Sequence, residues 1–198
     1  MRKTLFVFIT ILLLAGCQPI IKMLYGIKKP DVENEISIKK LAHRLELDTS
    51  DIVTVNSKDF FTVLKEQGIP DGAIFDSNGE YIEYRQTDSS CNAGLFTFIP
   101  ELSLGKEYNK THKTDLNTEF KKFRDLKGNE IAVSEHADFY LLIYWTIWTG
   151  RLNKDHVKAW EDLAKKNTNC TIKIIKVNLD VQEYWDEKDR IDIIKRLG

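Results

Sequence analysis

The sequence predicts an α/β fold, and three stretches carry that expectation. Phe139-Tyr140-Leu141-Leu142-Ile143-Tyr144-Trp145 is an unbroken run of seven apolar or aromatic residues. It is too short for a membrane span and reads as a strand buried on both faces. After a turn at Gly150, Val157, Trp160, Leu163 and Ala164 recur on one helical face, with Asn153 as the expected N-cap and Lys165 and Lys166 near the C-terminal end. Ile172-Lys173-Ile174-Ile175-Lys176-Val177 then supplies a second strand and closes a βαβ unit. Ligand sites tend to lie at the carboxyl end of such a strand, here Trp148 to Leu152. The third stretch is an early hairpin. Asn78-Gly79 provides a positive-φ turn between Ala73-Ile74-Phe75 and Tyr81-Ile82-Glu83-Tyr84.

The remaining elements follow in chain order. Residues 1–16 read as an address: Arg2 and Lys3 form a basic start, and Leu5 to Ala15 an apolar core of signal-peptide length. Residues 17–35 read as a tether, because Pro19, Gly26 and Pro30 interrupt any periodicity. The domain proper is expected over 36–198. Ile38, Leu41, Ala42 and Leu45 mark a short amphipathic helix, and Asp51 to Val55 a strand. A second helix carries Phe60, Phe61 and Leu64, with Asn56 or Ser57 as its cap and Gly68 as its end ahead of Pro70. Cys91 to Leu104 is apolar enough for a short helix or strand, whereas Gly105 to Leu116 is polar and reads as a loop. Phe120, Phe123 and Leu126 suggest a brief helix, and Ile191, Ile194 and Leu197 a terminal one.

Two motifs resemble known families. Leu14-Ala15-Gly16-Cys17 resembles the lipobox of bacterial lipoproteins, whose Cys becomes the lipidated N-terminus after cleavage. The resemblance implies a cell-envelope protein held on a membrane by acyl chains, each buried methylene contributing roughly 0.8 kcal/mol. Gln18 after the Cys points by family analogy to the outer membrane. Tyr144-Trp145-Thr146-Ile147-Trp148-Thr149-Gly150-Arg151-Leu152 resembles the F-W-A-x-W-C-x-x-C segment of thioredoxin-like periplasmic thiol–disulfide oxidoreductases. Both tryptophans are in place and both cysteines are absent. Thr149 stands where the attacking Cys would be, and Leu152 where the resolving one would be. That chemistry needs a thiolate nucleophile, so the resemblance implies the fold without the activity.

Gly68-Ile69-Pro70 and the hairpin after it are similar to the G-x-P-T-x-x-x-I-D-x-x-G-x-I block of the same family, with Asp71 in place of Thr. In the family that proline is cis and faces the active-site loop, and the block follows the tryptophan motif. Here it precedes it. The resemblance thus covers Asp125 to Asp180 in ordinary order, including the hairpin-like Asp125 to Val133, and Gly68 to Arg85 out of order. After Asp180 only eighteen residues remain, so a thioredoxin-like α/β/α sandwich with a mixed central sheet would lack two strands. Either the early hairpin is a chance likeness, or it fills those places in a circularly permuted sheet. Proximity of Pro70 to Trp148 decides between them.

Other chemistry is sparse. Removing Arg2 and Lys3 leaves 27 basic against 30 acidic residues, a net charge of −3, which gives no reason to expect a nucleic-acid partner. His136 and His156 lack metal-ligand spacing, so neither a metal nor a cofactor is expected. Cys91 and Cys170 are the candidate disulfide; sequence separation leaves open whether they pair or stay apart as buried thiols. Two functions survive. One is a membrane-anchored, redox-inactive domain binding a protein or peptide in the envelope through Trp148, Thr149, Gly150, Arg151, Leu152 and Pro70. The other is a thiol–disulfide oxidoreductase using Cys91 or Cys170.

Overall fold

The computed structural model describes residues 23–85, 92–132 and 135–197. In chain order its elements are β1 (Val32–Glu33), α1 (Glu35–Arg44), β2 (Ile52–Val55), α2 (Phe60–Glu66), β3 (Asp71–Asp76), β4 (Glu80–Ile82) and α3 (Leu95–Phe98). They continue as β5 (Lys110–Asp115), α4 (Leu116–Lys122), β6 (Phe123–Arg124), β7 (Phe139–Trp145), α5 (Ala159–Lys166), β8 (Ile172–Asn178), β9 (Val181–Gln182) and α6 (Glu187–Leu197). The signal-like residues 1–16 and Cys17 lie outside the described residues, as does Cys91.

Strand β7 is the axis of a mixed seven-stranded sheet ordered β5-β4-β3-β7-β8-β2-β6. It pairs in parallel with β8, Phe139 opposite Ile172 and Trp145 opposite Asn178. On its other side it pairs antiparallel with β3, Asp71 opposite Tyr144 and Asp76 opposite Phe139. Successive side chains of a strand point to opposite faces, and all seven residues of β7 are buried. Tyr140, Leu142 and Tyr144 join a core with Phe60 of α2, Phe120 of α4 and Ile193 of α6. Phe139, Leu141, Ile143 and Trp145 join a second core with Ile38 and Leu41 of α1, Leu95 of α3 and Trp160 of α5. A strand covered by helices on both faces has no polar face to show, which is why its sequence runs apolar without alternation. The result is a three-layer α/β/α sandwich.

The early hairpin occupies the antiparallel side of β7, and the Ile69–Pro70 peptide bond is cis. The hairpin β3–β4 thus lies in the same sheet as β7 and directly beside it, although it precedes β7 in the chain. Gly79, at φ +80°, closes the turn between β3 and β4.

Several local readings change. Gly105 to Leu116 is not all loop, because Lys110–Asp115 forms edge strand β5. Its sequence, Lys-Thr-His-Lys-Thr-Asp, has no apolar alternation because one edge and much of both faces meet solvent. Charges on such an edge discourage pairing with another chain. The terminal helix buries Ile193, while Ile191 stays 59 % exposed. Asp125 shapes a turn by accepting the N–H groups of Lys127 and Asn129, and Arg124 bridges Glu130; Val133, the end of that hairpin-like stretch, lies outside the described residues. Within the expected tether, β1 pairs in parallel with β9, Val32 opposite Val181. Asn34 then caps α1 in a reciprocal pair with Ser37.

Candidate functional site

The carboxyl end of β7 runs straight into the turn that carries the tryptophan motif. Thr146 is extended, Ile147–Thr149 make a single 3-10 turn, and Gly150 adopts φ +61°. Residues 153–158 form a π-helical turn before α5 begins. Asn153 is therefore not a capping residue. Its side chain is fully buried and points inward, where its amide donates to the Thr146 carbonyl at 2.7 Å. The Thr149 hydroxyl lies 3.0 Å from Asn153 Oδ1 and 2.9 Å from the same Thr146 carbonyl. With 3 % of its surface exposed, Thr149 is a polar plug inside the turn. Trp148 is half-buried, and Arg151 is exposed.

Beneath the turn lies a second polar group that sequence reading missed. Asp180, buried just after β8, accepts the Ile147 N–H at 2.7 Å and the Asn178 side-chain amide at 2.7 Å, both on Oδ2. Gln182 donates to Asn178 Oδ1 at 3.0 Å. Asp180 Oδ1 finds no partner among the described residues. Burial pushes the Asp180 carboxyl up to about 7, against the two N–H donors that favour its charge. No motif flagged it, because its role comes from two segments, far apart in sequence, meeting under one turn.

The second half of the site is the Pro70 loop, where the cis bond turns the chain into β3. Asp71, 5 % exposed, is its anchor. Its Oδ1 accepts the Gly72 N–H at 2.8 Å and the Tyr84 hydroxyl at 3.0 Å. Its Oδ2 accepts the Gly68 N–H at 3.2 Å and pairs with Arg85 at 2.5 Å. Burial beside this carboxylate pushes the Tyr84 hydroxyl far above the usual phenol range. Asp71 thus draws its side-chain partners, Tyr84 and Arg85, from the end of the hairpin.

Between the two halves opens a cleft of about 680 Å³ whose walls include Pro70, Arg85, Asn92, Lys113, Leu152 and His156. Asn92 donates to the Pro70 carbonyl. His156 packs edge-on against Trp160, 5.4 Å between centroids, and its Nδ1 lies 3.2 Å from the Leu152 carbonyl. Pro70 and Leu152 therefore face one space. Thr149 does not reach it as an exposed group, and the Trp148–Arg151 face has a different neighbour. The Lys28 N–H donates to the Trp148 carbonyl at 2.9 Å, and the Arg151 N–H donates to the Tyr25 carbonyl at 2.8 Å.

Cys170 sits elsewhere. It precedes β8 at the end that pairs with Phe139, a full strand length of about 20 Å from the turn. It carries a free thiol that approaches the Leu102 carbonyl at 3.3 Å, and burial, with the nearby Asp138 charge, pushes it up. A raised thiol is a poor nucleophile. Among the described residues, no group of three or more His, Cys, Asp and Glu side chains is placed to hold a metal ion, and no helix is long and apolar enough to cross a membrane. No protein-family model, curated protein or solved structure matches this chain.

Proposed function

We propose that this chain is a lipid-anchored protein of the bacterial cell envelope whose thioredoxin-like domain binds an extended peptide or protein segment without redox chemistry. One observation carries the reading. The turn that would present sulfur presents nothing reactive, because Thr149 is enclosed and tied to Asn153 and Thr146, while the cleft beside Pro70 stays open. The cleft offers cations (Arg85, Lys113) and carboxylates (Glu66, Glu83) around an apolar floor of Ile69, Pro70 and Leu152. A chain with a free backbone and mixed side chains fits such walls better than a small apolar ligand. Acylation at Cys17 supplies the anchor. Tyr25 follows Cys17 by eight positions, so the domain stays within about 28 Å of the bilayer at full extension.

A peptide array tests the binding: at least one extended sequence should bind the domain and lose affinity in Arg85→Glu and His156→Ala. An array with no binder overturns the reading. Lipidation is tested by mass analysis of the membrane-bound chain, which should show acyl groups lost in Cys17→Ser.

A second reading keeps the thiol chemistry. Asn92, the residue after Cys91 in sequence, lines the cleft beside Pro70. An insulin-reduction assay separates the two: the binding reading expects no turnover above background, whereas turnover abolished by Cys91→Ser or Cys170→Ser establishes the oxidoreductase.

A further inference from the structure

The face of the tryptophan turn is already taken, and what takes it is the chain itself. Tyr25 and Lys28 make two backbone hydrogen bonds to the turn, one accepting from the Arg151 N–H and one donating to the Trp148 carbonyl. Tyr25 ends a short helical turn and Gly26, at φ +64°, redirects the chain toward Lys28, so both bonds are made by backbone groups alone and carry no side-chain requirement. The contact is close. A Cβ built on Gly150 would lie 2.2 Å from the Tyr25 carbonyl oxygen and 2.6 Å from that of Gly26. Only glycine leaves room for the approach, and only glycine adopts φ +61° here without strain. Gly150, in the position between the family's two cysteines, thus has a physical reason to be glycine.

The segment is held by its backbone and hardly at all by its side chains. Met23 and Leu24 are 77 % and 63 % exposed, Gly26, Lys28 and Lys29 are exposed, and Tyr25 and Ile27 are half-buried. A short segment fixed by two backbone bonds and no buried anchor opens locally at little cost compared with the core.

We propose that Tyr25–Lys28 is a strap that occupies the turn in cis and has to leave before the backbone of another chain can bond to Trp148 and Arg151. This deepens the binding reading and rests on it for its biological consequence: the turn half of the site is gated, while the Pro70 half is open. The apparent affinity of any chain competing for the turn is lowered by the fraction of molecules with the strap released. Because the strap lies between Cys17 and the domain, its release also lengthens the lead to the anchor.

Amide hydrogen exchange on the full chain tests this, with a synthetic peptide of residues 23–30 as the probe. The Arg151 amide reads the strap directly, and the Leu142 amide in β7 reads the core. In the native chain Arg151 should exchange by local opening, at least tenfold faster than Leu142. Lys28→Pro removes the donor to Trp148 and should speed Arg151 exchange a further tenfold with Leu142 unchanged. The labelled peptide should then bind the variant at least tenfold more tightly than the native chain. Equal exchange of Arg151 and Leu142 in the native chain overturns the proposal without any variant. So does a peptide that binds both chains alike or neither. Each readout uses the chain's own segment, so failure to find a foreign ligand for the Pro70 cleft leaves these results standing.

Discussion

The Trp148–Leu152 turn and the Pro70 loop stand side by side at one end of the sheet, yet they are built on opposite plans. The turn is closed. Its hydroxyl and amide groups face inward onto Thr146, and its outer face carries Tyr25 and Lys28. The loop is open, its one buried charge neutralised from within by Arg85, and its rim lined by charges that meet solvent. The contrast teaches how two neighbouring loops at one end of a sheet can differ in access. Thr149 is packing inside its turn, and the backbone outside it seats the chain's own Tyr25 and Lys28. The Pro70 half keeps its opening.

Four substitutions break or sharpen that contrast. The largest effect is expected at the open half. Asp71→Ala removes the acceptor for Gly68, Gly72, Tyr84 and Arg85 and leaves a largely buried guanidinium unpaired. Losing one partner of such a pair costs about 3–5 kcal/mol, which a urea titration reads as a lower midpoint. An unchanged midpoint would show that the loop is held by the β3–β7 ladder alone.

At the closed half, Asp180 makes stability depend on pH. Its folded value near 7 lies above the unfolded carboxyl range of about 4, so the unfolded chain gives up its proton first as pH rises. Stability should therefore fall between pH 4 and pH 7, by up to about 4 kcal/mol at roughly 1.4 kcal/mol for each pH unit. Below pH 4 both states hold the proton and the effect vanishes. Oδ1, without a partner among the described residues, is the oxygen that carries it. Asp180→Asn should flatten this dependence in thermal melts across the range. A native chain whose stability rises through the same window would show Asp180 ionised in the fold.

Thr149→Val tests whether the hydroxyl is a structural plug. It keeps the shape and strands Asn153 Oδ1 in the interior, costing about 1–3 kcal/mol. Peptide binding at the Pro70 cleft should persist in the folded fraction; a chain that folds as well as before but loses binding would place Thr149 in the recognition surface. The smallest effect is expected for Cys170→Ser, within about 0.5 kcal/mol, because the new hydroxyl can donate to the same Leu102 carbonyl. A larger loss would give that thiol a role in the fold beyond this contact.

The parts legible in the sequence are those whose signal is local. Phe139–Trp145 announced a doubly covered strand because nothing else tolerates seven apolar residues in a row within a short α/β unit. Asn78-Gly79 announced its hairpin through the φ its turn requires. Helix α1 was legible from Ile38, Leu41 and Ala42, which are the residues it buries. The parts that were not legible depend on what another segment does. Asn153 looked like a cap because the following residues are helical. It turned inward because Thr146 and Thr149 offered it partners. Ile191, Ile193 and Ile194 allow two helical phases, and the surface beneath α6 selected the one that buries Ile193. Polar β5 gave no alternation to read, since its pairing with β4 supplies what its side chains do not.

By itself, the amino-acid order determined the α/β class, the central strand, the hairpin and the absence of sulfur from the tryptophan turn, because each is written in consecutive residues. Tertiary structure alone decided that the early hairpin pairs beside the central strand. It also decided that Asp71 and Arg85 pair across fourteen positions of chain, and that Tyr25 lies on Arg151. Those outcomes are meetings of segments far apart in sequence, and only the closing of loops in three dimensions brings their partners within bonding distance.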